Sequence, residues 1–158
     1  MRDQYSDARV GALHPAVRQQ FTDFINDAET QLDVTLRVML GFRTFDQQDA
    51  LYQQGRTHPG NIVTNAPAGK SFHNYGLAVD LCHINDDGSV DWNFDMAQLE
   101  PIATAHNLEW GGCWTTIKDK PHFEARAVNG VTYSENCSEL LAKYNAREVD
   151  ANGYLTTI

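Results

Sequence analysis

The order of helical and strand-like segments along the 158-residue chain most strongly constrains its fold. Helical spacing of apolar residues and capping signals predict helices over residues 15–30, from the cap Thr44 to Gln54, over residues 96–106, and after a cap at Ser134. β-branched or alternating apolar runs predict strands at residues 34–40, 77–81 and 122–124. These helices and strands are interspersed without the regular strand–helix–strand repeat of βαβ units. The sequence therefore predicts an α+β fold, a small antiparallel sheet with flanking helices.

Length and charge narrow the classes of partner. We expect one domain over residues 1–158, with a motif-bearing core at about 34–124 and a C-terminal extension at 125–158. The 12 Lys and Arg against 21 Asp and Glu give a net charge of −9, which disfavours nucleic acid and anionic lipid. No apolar run reaches the ~18 residues of a membrane helix, so we expect no membrane insertion. We expect a monomer that meets a small or flexible ligand in a cleft.

Residues 71–80, Ser-Phe-His-Asn-Tyr-Gly-Leu-Ala-Val-Asp, carry the first candidate site residues. His73 and Asp80 are seven residues apart, and in one unbroken strand that odd separation would place them on opposite faces. Asn74-Tyr75-Gly76 is typical of a turn, however, so His73 can lie in a loop that folds back beside the strand. One imidazole and one carboxylate are two of the three protein ligands that a catalytic zinc site needs.

The third candidate ligand is His122, which follows Pro121 and is expected to begin a strand. Asp119 stands three residues earlier, in the turn before that strand, where its carboxylate could reach a water molecule at the metal. This spacing predicts that His122 binds the metal and that Asp119 acts as the general base.

The pattern S-x-H-x-x-G-x-A-x-D, followed at a distance by D-x-x-H, resembles the signature of the LAS metallopeptidases. That group contains lysostaphin-type enzymes, D-alanyl-D-alanine peptidases and the hedgehog signalling domain. Within it, the chain is similar to the L-alanyl-D-glutamate endopeptidases of phage endolysins. Three further segments resemble this branch: Gly41-Phe42-Arg43-Thr44, Leu108-Glu109-Trp110-Gly111-Gly112 and Lys120-Pro121-His122-Phe123. Together the matches cover about residues 41–124.

The resemblance implies a LAS/hedgehog-like zinc peptidase fold and a role for each matching residue. It implies Zn²⁺ as cofactor, with His73, Asp80 and His122 as ligands, Asp119 as the catalytic carboxylate, Arg43 as the cation beside the scissile carbonyl, and Ser71 as a substrate contact. Arg43 and Lys70 are expected to attract carboxylates of the substrate. Asp at position 119, where the dipeptidase and carboxypeptidase branches mostly have Glu, favours the endopeptidase branch.

The implied function is hydrolysis of a peptide bond in the stem peptide of bacterial peptidoglycan, most specifically the L-alanyl-D-glutamate bond. Two alternatives stay open: a D-Ala-D-Ala carboxypeptidase or dipeptidase on the same site, and a zinc-containing binding module that no longer catalyses. The N-terminus lacks the apolar stretch of a signal peptide. We therefore expect synthesis in the cytoplasm and action on the cell wall after release through a phage-type pore or another export route.

Other polar residues receive structural interpretations. The remaining histidines are expected to lie outside the site: His14, His58, His83 and His106. Asp86-Asp87-Gly88 is typical of a hairpin turn and only weakly suggests calcium. The three cysteines have no paired spacing, so we expect free thiols.

Overall fold

A computed structural model describes residues 1–115, 117–128, 131–132 and 134–158. The α-helices in these ranges are α1 (Gln4–Gly11), α2 (Arg18–Leu32), α3 (Phe45–Gln53), α4 (Glu100–Ala105) and α5 (Cys137–Asn145). The strands are β1 (Thr35–Leu40), β2 (Ala78–Ile84), β3 (Val90–Asp91), β4 (Glu109–Trp110), β5 (His122–Glu124), β6 (Ala127–Val128) and β7 (Val131–Thr132). Single 3₁₀ turns lie at Pro15–Val17, Phe72–Tyr75, Met96–Leu99 and Gly111–Cys113. No helix in the described ranges is both long enough and apolar enough to span a bilayer.

The central sheet is antiparallel throughout and brings distant parts of the chain together. Its order is β1-β2-β5-β4, with β3 paired to β2, while β6 and β7 form a separate hairpin. In the register of β2 and β5, Asp80 lies opposite His122 and Ala78 lies opposite Glu124. The predicted α+β fold with a small antiparallel sheet is confirmed. Its register places two of the predicted metal ligands side by side.

Helix α2 covers one face of the sheet, as its apolar periodicity predicted. Phe21, Phe24 and Ile25 are fully buried, and the Phe24 ring lies 5.1 Å from the ring of Phe123 on β5. Each such side chain stabilises the fold by roughly 1.5–3 kcal/mol relative to an exposed one. This packing anchors β5, and therefore the strand that carries His122, from behind.

The predicted start of α3 is confirmed in detail. The Thr44 hydroxyl accepts a hydrogen bond from the Gln47 amide at 3.2 Å, and the Gln47 side-chain oxygen accepts from the Thr44 amide at 2.9 Å. This reciprocal pair satisfies two backbone donors that a helix start leaves free. The predicted helix at 96–106 is also present. It begins as a 3₁₀ turn and becomes α-helical only at Glu100, beside Pro101.

Helix α1 was not predicted, because it docks through polar rather than apolar groups. Its buried residues are Ser6 and Val10. The Ser6 hydroxyl accepts from the Val38 amide at 2.9 Å, and Arg37 donates to Asp3 at 2.9 Å. A helix held by such contacts shows little apolar periodicity in its sequence.

The predicted cap at Ser134 is wrong. Helix α5 begins after Asn136, whose side-chain oxygen accepts from the amides of Ser138 and Glu139, while the Glu139 carboxylate accepts from the Asn136 amide. Ser134 lies earlier, where its hydroxyl bonds to the Ala125 carbonyl. The Asn-x-x-Glu spacing was the better helix-start signal.

The C-terminal segment packs onto the beginning of the chain. Leu140 and Leu155 belong to the same buried apolar cluster as the sheet. The His14 Nε2 atom lies 2.8 Å from the Leu155 carbonyl, and the Tyr154 hydroxyl accepts from Arg18 at 3.1 Å. Residues 137–158 therefore extend the common core.

Candidate metal centre and active-site cleft

The segment that follows β1 holds His73 through hydrogen bonds to its ring and to its backbone carbonyl. Its Nδ1 atom lies 2.7 Å from the Gly41 carbonyl, and its own carbonyl accepts from the Arg43 amide at 3.0 Å. A carbonyl can only accept, so Nδ1 carries the proton and the neutral ring leaves a lone pair on Nε2. The structure therefore aims the other ring nitrogen, Nε2, at the cleft.

The turn predicted at Asn74-Tyr75-Gly76 is a short 3₁₀ helix that ends at Gly76. Gly76 has a φ of 66°, and a Cβ atom there would lie 2.7 Å from the His14 backbone nitrogen. Only glycine combines this left-handed backbone with so close an approach. The turn reverses the chain between His73 and Asp80, so the two side chains meet despite their odd separation.

His122 presents its other nitrogen. Its Nε2 atom lies 2.9 Å from a carboxylate oxygen of Glu124, two residues along β5 and on the same strand face. The carboxylate accepts, so Nε2 donates and the lone pair of the neutral ring is on Nδ1. Glu124 is almost fully buried and thus fixes both the orientation and the tautomer of His122.

Three acceptor atoms converge at one point. His73 Nε2, His122 Nδ1 and Asp80 Oδ1 lie 3.1 Å from one another on all three sides. Donor atoms at the usual distances from a tetrahedral zinc ion are separated by roughly 3.3 Å, so one open face of that tetrahedron fits this triangle. The residues present therefore fit zinc.

The electrostatics of the cluster also call for a positive charge at its centre. Burial opposes ionisation of His122, yet its bonds to Asp80 and Glu124 raise its pKa to about 10. Burial would raise the pKa of Asp80, but hydrogen bonds from His122 and His73 hold that pKa well below its usual range. A divalent cation bound by these three side chains would meet this demand.

Asp119 lies beside the three ligand-type residues and lines the same cleft. Its amide donates to the Gly111 carbonyl at 3.0 Å, and its carbonyl accepts from the His122 amide at 3.2 Å. Burial raises its pKa, against the opposing effect of His122. A partly buried carboxylate with a raised pKa suits proton transfer near neutrality.

The Leu-Glu-Trp-Gly-Gly segment supports Asp119 from behind. The Trp110 indole donates to the Lys120 carbonyl at 2.7 Å. A Cβ atom at Gly111 would lie 2.7 Å from the Asp119 carbonyl oxygen and 3.2 Å from the His122 Cβ atom. This turn therefore has a structural role, because it sets the distance between Asp119 and the strand that carries His122.

Arg43 projects into the cleft from the segment before α3. It donates to the Gln48 side-chain oxygen at 2.7 Å and lies 3.9 Å from Asp80 Oδ2. Gln48 is fully buried and donates in turn to the Ala66 carbonyl at 2.7 Å. Burial lowers the pKa of Arg43, while Asp80 and Asp119 act in the opposite direction. This places a cation, fixed in position, beside the three ligand-type residues.

All six predicted site residues lie around one cleft of about 380 Å³: Arg43, Ser71, His73, Asp80, Asp119 and His122. Among the described residues, His73, Asp80 and His122 form the sole His/Cys/Asp/Glu group close enough together to hold a metal ion. Residues that were not predicted also line the cleft, notably Phe72 and Trp114. The sequence around Phe72 and Trp114 does not identify them as cleft residues, because aromatic residues occur both in cores and in clefts.

The histidines outside the motifs lie away from this cluster, as predicted. His83 lies 3.3 Å from Asp91, and His106 lies 2.7 Å from Asp27. In the hairpin turn, Asp87 accepts from both the amide and the hydroxyl of Ser89. The three cysteines are free thiols.

Comparison with known proteins agrees with this geometry. Residues 64–125 match the model of a family described as D-alanyl-D-alanine carboxypeptidase. The chain is 42% identical, over 122 residues, to the peptidoglycan L-alanyl-D-glutamate endopeptidase CwlK of Bacillus subtilis (strain 168), covering 71% of this chain and 72% of that protein.

Solved structures show the same fold. The L-Ala D-Glu endopeptidase ChiX of Serratia marcescens superposes with a TM-score of 0.57 at 26% identity, over 77% of this chain and 86% of that one. The vancomycin resistance D,D-pentapeptidase VanY, in complex with Zn(II), superposes with a TM-score of 0.55 at 18% identity, over 75% and 74%. The chain therefore belongs to the zinc peptidase family of the D-alanyl-D-alanine carboxypeptidases and peptidoglycan L-alanyl-D-glutamate endopeptidases.

Proposed function

We propose that this protein hydrolyses the L-alanyl-D-glutamate bond in the stem peptide of bacterial peptidoglycan, with one zinc ion bound by His73, Asp80 and His122. The observation that carries the proposal is the convergence of three atoms of the ligand type, 3.1 Å apart, in a cleft that also holds a carboxylate and a cation. The 42% identity to an endopeptidase of that specificity supports the choice of bond.

Each side chain has a defined task in this reaction. The chemistry that zinc supplies when bound is Lewis acidity, which polarises the substrate carbonyl and lowers the pKa of a water molecule. Asp119 accepts the proton of the attacking water at its carboxylate and returns it to the leaving amine. Arg43 stabilises the negative charge that develops on the carbonyl oxygen, a contribution of typically ~3–4 kcal/mol for one such donor. Ser71, on the cleft wall, contacts the substrate.

The shape of the cleft favours an endopeptidase. Beyond the metal ligands it continues in two directions, which we name the cationic arm (Lys70, Phe72, Arg126) and the apolar arm (Ile62, Val63, Ile117). Trp114 lines the centre and both arms. A substrate can therefore continue on both sides of the scissile bond.

Arg56, a cation that could have closed one end of the cleft, is held away from it. Its guanidinium lies 4.0 Å from the centre of the Tyr52 ring and donates to the carbonyls of Tyr52 and Thr64 and to the Asn65 side chain. Lys70 is the exposed cation on the cleft wall. It is also the feature that would favour the alternative, a carboxypeptidase that pairs a cation with a terminal carboxylate.

Mass spectrometry of purified muropeptides digested by the zinc-loaded protein tests the proposal. We expect peptides with a free N-terminal D-glutamate, and lactoyl-L-alanine left on the sugar. Release of free D-alanine, or of the D-Ala-D-Ala dipeptide, would instead identify a carboxypeptidase or dipeptidase. Zinc binding without any product would identify a binding module.

The biological role that fits this activity is an endolysin-like, bacteriolytic one, possible in a phage lysin or in a secreted antibacterial protein. Cleavage of stem peptides weakens the wall wherever the enzyme reaches it, after release through a phage-type pore or another export route. Purified protein added to outer-membrane-permeabilised bacteria should lower the turbidity of the suspension, and an Asp119→Asn variant should not. Equal clearing by both proteins would argue against a lytic role for the peptidase site.

A further inference from the structure

The two arms of the cleft differ in chemistry. In the apolar arm, Ile62, Val63 and Ile117 are each at least half exposed, at 56%, 55% and 50%. In the cationic arm, Lys70 and Arg126 line a cavity of about 540 Å³ whose floor includes Phe72 and Glu124. A cleft with one apolar end and one positively charged end favours one direction of binding for an asymmetric peptide.

The positive charge of the cationic arm is only partly neutralised by nearby acidic groups. Glu124 is the acidic residue on its wall, and one of its oxygens already accepts from His122 at 2.9 Å. Its other oxygen is buried without a hydrogen bond, 3.7 Å from the Arg126 guanidinium. Lys70 donates to the neutral Ser138 hydroxyl at 2.7 Å. Two cations thus share one carboxylate, in a protein whose net charge is −9.

Both cations are placed to meet a ligand. The Arg126 side chain is 45% exposed, and its guanidinium lies 5.9 Å from the centre of the Phe72 ring. Lys70 lines both the cationic arm and the central cleft beside the metal ligands. Guanidinium and ammonium groups that converge on one cavity bind carboxylates through short, charge-assisted hydrogen bonds.

We infer that Arg126 and Lys70 form a carboxylate-binding subsite for the free α-carboxylate of the D-glutamyl residue, on the leaving-group side of the scissile bond. This inference rests on the proposed function. In the stem peptide, D-glutamate is linked onward through its γ-carboxyl group, so its α-carboxylate is free and adjacent to the scissile nitrogen. On the other side, L-alanine and the lactoyl group carry methyl groups, which match the apolar arm. The substrate therefore binds with its D-glutamyl side toward Arg126.

A matched pair of muropeptides tests this inference. One carries D-glutamate with a free α-carboxylate, and the other carries the α-carboxamide, D-isoglutamine. We expect zinc-loaded wild-type protein to prefer the carboxylate by ~10-fold or more in kcat/KM, the effect of losing a hydrogen bond to a charged group. An Arg126→Gln, Lys70→Gln double variant should lose this preference, while its zinc content and its Tm stay near those of the wild type.

Two controls separate charge from structure. Arg126→Lys keeps the cation and should keep most of the preference. Arg2→Gln removes an exposed cation whose partner is Asp33, far from the cleft, and should change nothing. Equal hydrolysis of the two muropeptides by the wild type, or a preference that survives in the double variant, would overturn the inference. Failure of the wild type to cut the L-alanyl-D-glutamate bond in either muropeptide would instead overturn the proposed function.

Discussion

Two segments of the chain supply the candidate site, and they are built differently. Residues 71–80 supply His73 and Asp80 from a 3₁₀ turn that runs almost directly into β2. The second segment, residues 108–124, supplies His122 from the start of β5 and Asp119 from the turn before it, whose position depends on Gly111 and on Trp110. In the first segment the turn that brings His73 and Asp80 together is local. In the second segment the geometry depends on packing between residues about ten positions apart.

The two histidines of the candidate site also differ in the groups that orient them. The partner of His73 is the Gly41 carbonyl, a backbone group that no substitution removes. The partner of His122 is the Glu124 carboxylate, a side chain that a substitution can remove. Changes in the first segment should therefore abolish metal binding, whereas changes in the second can separate metal binding from catalysis.

The largest effect is expected from removing both ring ligands. A His73→Ala, His122→Ala double variant leaves Asp80 alone, and zinc content should fall from about one ion per chain to near zero. Metal analysis after dialysis measures this directly. His83→Ala, which removes a histidine paired with Asp91 outside the site, is the matched control and should keep its zinc. Near-stoichiometric zinc in the double variant would show that the metal is held elsewhere.

Asp119→Asn should separate catalysis from metal binding. The substitution is nearly isosteric and leaves the Asp119 backbone bonds to Gly111 and His122 in place. We expect zinc content and folding to be retained, while muropeptide hydrolysis falls by ~100-fold or more, as on loss of a general acid–base group. If most of the activity survived, another carboxylate would have to be the base, and Glu124 would be the first to examine.

Glu124→Ala should weaken the metal site through His122. Without its acceptor, the His122 ring can rotate and change tautomer, so zinc affinity should fall by roughly 10–100-fold. Competition with a chelating dye measures the affinity. Glu124→Gln keeps an acceptor oxygen for the Nε2 proton and should lose less. If Glu124→Ala left the zinc affinity unchanged, the position of His122 on β5 would be enough to orient its ring.

A Cβ atom at Gly111 should disturb the second segment without removing any ligand-type side chain. Gly111→Ala would press on the Asp119 carbonyl, and strain of this kind costs about 1–3 kcal/mol in the free energy of unfolding. Denaturant unfolding measures the loss. Gly11→Ala, where no atom lies within 4 Å of the added Cβ, is the control and should be neutral or slightly stabilising. Equal stability of Gly111→Ala and Gly11→Ala would show that the turn at Gly111 accommodates the added Cβ atom without strain.

The same contrast explains which parts of the molecule could be predicted from sequence. The seven-residue spacing of His73 and Asp80, with a turn between them, contains its own geometry, and so does the capping pair that begins α3 at Thr44. Contacts that form only in the tertiary fold leave no such pattern in the local sequence. Arg126 follows the last motif without any spacing signal, and its place in the cleft depends on β5 pairing with β2.

The errors have equally specific causes. Helix α1 escaped prediction because Ser6 and Asp3 dock it to β1 through hydrogen bonds, which leave no apolar stripe. The cap of α5 was predicted at Ser134, but a lone serine is a weaker helix-start signal than the Asn136–Glu139 pair. Packing of the last residues against His14 and Arg18 joins the two ends of the chain, and nothing in either end alone predicts it.

The central claim is that one zinc ion at His73, Asp80 and His122 drives hydrolysis of the L-alanyl-D-glutamate bond. Its most direct test is to titrate zinc into the metal-depleted protein while mass spectrometry follows the release of D-glutamyl peptides from muropeptides. The account predicts that activity rises with added zinc and stops at about one equivalent, and that Asp119→Asn binds the same equivalent without activity. Full-rate hydrolysis by the metal-depleted protein would contradict it.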